Sequence, residues 1–168
     1  MLITVLCGLL MMAGLFLMLL SGVGFIQDKR FFGSAPKEVR DAVPESKPER
    51  FKGQHTAGWI MAAVSVLMLV AAPILGAADG IQNGFGFMDF FIRFNVMWLM
   101  MKAFDIIFFD WVLLCNAGFN FFPHFYPETK AVLGHHLFGY NRKTHAAHII
   151  GGAAVSAVLG WICLLIAG

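Results

Sequence analysis

Along the chain, long stretches without a charged side chain alternate with short polar segments, and this alternation predicts four membrane-crossing helices. The first uncharged run, from Leu2 to Ile26, covers about 25 residues; at about 1.5 Å per residue it crosses a hydrocarbon core of about 30 Å with some tilt. It has no basic leading region and is longer than the apolar core of a secretion signal, so it is read as an uncleaved anchor. The second run is Thr56 to Ala78, with Trp59 as an interfacial anchor at one end and Pro73 near the other, where a kink or a stop is expected. The third, about Phe90 to Leu114, is apolar in bulk but contains Arg93, Lys102, Asp105 and Asp110. The fourth runs from about Ala146 to Gly168. These runs are apolar on every face for about twice the length of a barrel strand, and helices satisfy their own backbone groups in lipid. The expected fold is therefore an all-α integral membrane protein, one membrane domain over 1–168, with spans at about 2–26, 56–78, 90–114 and 146–168.

Basic residues orient the spans. Lys29, Arg30, Lys37, Arg40, Lys47, Arg50 and Lys52 lie between the first two, and Lys130, Arg142 and Lys143 between the last two, whereas Asp79 to Asp89 contains neither Lys nor Arg. The segments 27–55 and 115–145 are thus assigned to the cytoplasm of an inner-membrane protein with both termini outside. Residues 27–55 hold seven basic and five acidic side chains with Pro36, Pro44 and Pro48, the composition of a solvated tether. Ser34 and Pro36 are placed to start a short helix carrying Val39 and Val43 on one face, and Phe31 and Phe32 to anchor the segment at the interface. In the second segment five of the eight residues from Phe119 to Tyr126 are aromatic, which predicts a chain lying in the headgroup layer or dipping between helices.

Composition agrees with lipid as the solvent: 59% of the 168 residues are hydrophobic, 13% are charged, and mean hydropathy is +0.75. The net charge of +2, with basic and acidic residues interleaved, argues against a nucleic-acid partner.

Charge inside the third span carries the functional expectation. At about 100° per residue, Asn95, Lys102 and Asp105 fall within roughly 80° of one another, with Asp110 about 60° to the other side of Asn95. Each ionised group costs about 2.5–3.5 kcal/mol at mid-membrane, so the face they share is expected to turn from lipid. The expected role is binding or passing a small ion or polar solute: Lys102 and Asp105 form the mid-membrane pair, Asp110 the cytoplasmic relay and Asn95 an outer polar contact. A static salt bridge between helices is the competing reading. Asp89 and Arg93, i and i+4 on another face, are expected to form a solvated or headgroup-facing pair.

All six histidines fall on the cytoplasmic side of this layout. A second expectation is a membrane enzyme acting on a lipid or quinone there, with a transition metal on His135, His136, His145 and His148, completed by Asp110, Glu128 or Cys115, or a haem between His55 and His148. The arrangement is similar to the membrane fatty-acid desaturases and hydroxylases in its four spans and its histidines at the cytoplasmic boundary. Of their H-x-x-x-H and H-x-x-H-H boxes, only His135-His136 and His145-x-x-His148 come close, so no residue role is carried over. A third expectation is an accessory subunit without chemistry of its own.

Cys7, Cys115 and Cys163 form no C-x-x-C pair and are read as free thiols. Gly152, Ser156 and Gly160, spaced by four, make a flat ridge that marks a helix-packing face, with its partner in the same chain or in a second copy. A homo-oligomer or larger membrane complex is expected to shelter the charged stripe. No nucleotide-binding, zinc-protease or hydrolase string occurs.

Overall fold

The computed structural model describes residues 1–116, 118–134 and 139–167, and these are helical, with no strand among them. Six α-helices follow in order: α1 (Leu2–Leu19), α2 (Lys37–Ala42), α3 (Gln54–Gln82), α4 (Phe87–Phe104), α5 (Phe121–Phe125) and α6 (Arg142–Ala167). Helix α1 continues as a π-helix over Leu20–Ile26, and α4 as a π-helix over Asp105–Cys115. Among the described residues, three helices are long and apolar enough to cross a membrane: Leu2–Ile26, Gln54–Gln82 and Arg142–Ala167. Helix α3 extends beyond the sequence-based bounds at both ends. It runs through Pro73 without stopping, and Asp79, assigned from sequence to a connection, lies on its last turns.

The chain divides into two compact units. The first comprises Met1–Leu15, Val66–Phe104 and Asn141–Gly168. Its core joins Cys7, Met11, Ala72, Phe90, Phe94, Met97 and Cys163. The small-residue ridge of α6 is buried at Gly152, Ser156, Gly160 and Cys163, and it packs on α4 of the same chain. A Cβ at Gly152 would overlap the Trp98 indole, and one at Gly160 would press on Phe90 and the Phe91 amide, so the small residues set how closely the two helices approach. Gly84, at φ +66°, ends α3, where the Phe85 amide donates to the Gly80 carbonyl. The Asp89 carboxylate then accepts from the Gly86 amide at 3.0 Å to open α4. Cys7 and Cys163 share the core as free thiols, and Cys115 is free as well.

The second unit comprises Phe16–Ser65 and Asp105–Tyr140. The 27–55 segment is not the solvated tether expected from its charge. Helix α2 forms where Pro36 permits, with Glu38 in its first turn, and buries Val39; Val43 is buried just beyond. Phe32, expected at the interface, is 2% exposed, with its ring 4.9 Å from Tyr126 and 5.6 Å from Phe122. These side chains close one core with Val23, Leu113, Leu114 and Leu133, so both connecting segments fold together. Lys47 ties them further, donating to the Glu128 carboxylate at 3.0 Å and to the Phe125 carbonyl at 3.1 Å.

The π-helix at Leu20–Ile26 ends at Gln27, whose backbone is left-handed (φ 56°) and whose amide donates to the Gly22 carbonyl at 2.8 Å. Its last carbonyls are taken by side chains: Arg50 donates to Gly24 and the buried Gln54 to Phe25, each at 2.8 Å. Gln54 also donates to the Gln27 side chain at 3.0 Å. A helix end that is buried needs such partners, and these three polar residues supply them.

Candidate functional site

Five ionisable residues lie on the run Phe87–Cys115: Asp89, Arg93, Lys102, Asp105 and Asp110. The first unit holds three of them. Arg93 is 3% exposed and does not form the headgroup-facing pair with Asp89 that their spacing suggested. Its Nη1 donates to Asp79 Oδ2 at 2.7 Å and to the Gly76 carbonyl at 2.6 Å, both on α3, and Phe85 lies under the guanidinium at 4.2 Å. The turn at 83–86 folds α4 back against α3, and this brings a cation on one helix to a carboxylate on the other; an i, i+4 rule applied to one helix has no access to that. Lys102 is also buried, at 6% exposed, with Nζ 3.5 Å from His148 Nδ1. His148 is exposed on α6, and its backbone carbonyl accepts from Trp98 Nε1 at 3.1 Å. Asn95 is half-buried on α4.

The two remaining carboxylates belong to the second unit, and their geometry differs from the α-helical one assumed from sequence. In an α-helix, positions 105 and 110 point about 140° apart. From Asp105 onward the backbone is wound with i→i+5 hydrogen bonds, which puts residues five apart on nearly the same face. Asp105 and Asp110 therefore line one cavity, of about 40 Å³, together with Ser34, Ala35 and the rings of Phe32 and Phe109. That volume accommodates a water or a small ion but not an organic solute. Asp110 is 7% exposed and accepts from the Tyr140 hydroxyl at 3.1 Å; Tyr140 also reaches the Ser34 carbonyl, at 3.4 Å.

Tyr140 was not singled out from the sequence, because it lies 30 positions from Asp110 in an irregular segment with no periodicity to relate them. Burial pushes its phenol far above the ordinary value, and the Asp110 charge adds to the effect. Burial raises Tyr126 similarly, with Asp28 and Glu128 contributing, and its hydroxyl makes no hydrogen bond among the described residues. A phenol whose folded-state value is raised stabilises the fold below its unfolded value of about 10 and loses that stabilisation as pH rises above it. Unfolding in detergent should accordingly become easier above about pH 10. Tyr140→Phe should flatten that slope and cost about 1.5–3 kcal/mol at neutral pH, the worth of a hydrogen bond to a charged acceptor. An unchanged alkaline limb would contradict the role given to Tyr140.

The expected metal ligands are placed only in part. His135 and His136 lie outside the described residues. His145 is buried on α6 and His148 meets Lys102, while Glu128 pairs with Lys47. Among the described residues no three His, Cys, Asp or Glu side chains come together to hold a metal ion. At the start of α3, His55 donates its backbone amide to Glu49 at 2.8 Å, and His124 is exposed.

Fold and site together define an all-helical protein of membrane type, with carboxylates gathered on one π-helical turn. Comparison with family models, with characterised proteins and with solved structures finds no match for the chain.

Proposed function

We infer that the chain is a four-span inner-membrane protein, with Phe87–Cys115 as the span that carries charge and both termini outside, and that it binds and passes a proton or small cation. The single observation behind this reading is the shared cavity of Asp105 and Asp110, the second of which accepts a hydrogen bond from Tyr140. Two carboxylates that line one small cavity offer it oxygen ligands of the kind a hard cation takes. An intramembrane carboxylate that faces a cavity marks an ion pathway by default. In this reading Asp105 and Asp110 are the exchanging groups. Four spans provide little interior for such groups, so a homo-oligomer or larger complex completes the shelter.

The reading is tested with purified protein in sealed vesicles, measuring proton flux with an internal pH dye and sodium or potassium flux with tracer ions. Asp105→Asn and Asp110→Asn should each lower flux at least about tenfold, since each removes a carboxylate from the pathway, while insertion stays normal. Flux that is absent in the unmodified protein, or unchanged in both variants, overturns the reading.

A further inference from the structure

A crevice of the first unit is lined by other residues than the carboxylate cavity. It lies between one row of α1, Ile3, Leu6, Cys7 and Leu10, and one row of α3, Leu75, Ala78, Asp79 and Gln82, and measures about 390 Å³. Each row has the spacing i, i+3, i+4, i+7 of a single helix face and extends about 10 Å. Polarity is graded along the α3 row: Leu75 and Ala78 are apolar, and Asp79 and Gln82 occupy the last turns of the helix. Because α3 has the length and hydropathy of a membrane span, its Gln82 end falls at headgroup depth and Leu75, about 10 Å further in, at the depth of acyl chains.

The charged side chain that lines the crevice is a carboxylate. Asp79 lines it, with its side chain 29% exposed. Its Oδ2 accepts from Arg93 and its Oδ1 from Asn83 at 3.2 Å, which leaves about two of a carboxylate's four acceptor sites open. Arg93 does not line this crevice; it is buried under Phe85. Arg93 offsets the Asp79 charge from behind, but the groups that line the polar end are the open acceptor sites of a carboxylate and a carboxamide, a set that receives a head bearing N–H donors.

We propose that this crevice binds an acyl chain of a membrane lipid whose head carries a primary ammonium, phosphatidylethanolamine, with the ammonium donating to Asp79 and Gln82. The inference is independent of ion passage. The test is native mass spectrometry of the full chain in detergent, titrated with dioleoyl phosphatidylethanolamine, phosphatidylcholine and phosphatidylglycerol. Choline has the same charge as ethanolamine but no N–H, and phosphatidylglycerol has a net negative charge. Phosphatidylethanolamine should bind about tenfold more tightly than either, the worth of one charge-assisted hydrogen bond. Gln82→Leu, which leaves the Asp79–Arg93 pair in place, should reduce this preference, and Ala78→Phe, which fills the crevice, should abolish binding. Equal binding of the three lipids, a preference for phosphatidylglycerol, or a preference unaltered in Gln82→Leu would overturn the proposal, the last even if Ala78→Phe fails to fold.

Discussion

Replacing Arg93 with Leu is expected to destabilise the first unit by about 3 kcal/mol or more, toward the lower end of the 3–5 kcal/mol cost of breaking a buried ion pair from one side. The loss has identifiable parts. Asp79 keeps its charge without its cation, the Gly76 carbonyl loses a donor at 2.6 Å, and Phe85 loses the guanidinium stacked at 4.2 Å. The lower end applies because Asp79 is 29% exposed and recovers some solvation. The double variant Asp79→Leu with Arg93→Leu should recover most of the loss, because an apolar pair of similar volume replaces a buried ion pair at little cost. Thermal unfolding in detergent measures both. If the single variant unfolds like the unmodified protein, the pair does not hold α3 to α4.

Gly152→Ala should cost about 1–3 kcal/mol, although alanine is the better helix former. A methyl group at this position overlaps the Trp98 indole, so the ring must move and gives up its hydrogen bond to the His148 carbonyl. Gly151 is an internal control. It is exposed and a Cβ there meets nothing within 4 Å, so Gly151→Ala should be neutral or stabilising by up to about 1 kcal/mol. The difference between neighbouring glycines separates close packing from helix propensity, and equal effects in unfolding measurements would remove the packing role of the ridge.

Some of the site was legible and some was not, for physical reasons that differ from residue to residue. The ridge at Gly152, Ser156 and Gly160 could be read because small side chains at helical spacing have one use in an apolar helix, close approach. Its partner α4 could not be read, since flatness carries no address. The 27–55 segment was misjudged because its charge count describes the exposed side, while its folding depends on Phe32, Val39 and Val43, too few and too scattered to give a period. Arg93 was misassigned because spacing along one helix suggested Asp89, whereas the partner Asp79 is reached only across the turn at 83–86. Asp105 and Asp110 were recognised as costly in lipid, but their common face depends on the change from α to π winding, to which a fixed angle per residue is blind.

Hydrophobicity, run length and the absence of strand alternation by themselves determined that this chain is helical and of membrane type, because burying backbone polar groups in lipid leaves a helix as the economical form for runs this long. They also marked the charged helix, because ionisable side chains stand out in so apolar a run. Tertiary structure alone decided which groups satisfy that charge: Asp79 for Arg93, His148 near Lys102, and Tyr140 on Asp110. Partner choice depends on distances between segments remote in sequence and on local winding, neither of which a linear pattern of side chains contains.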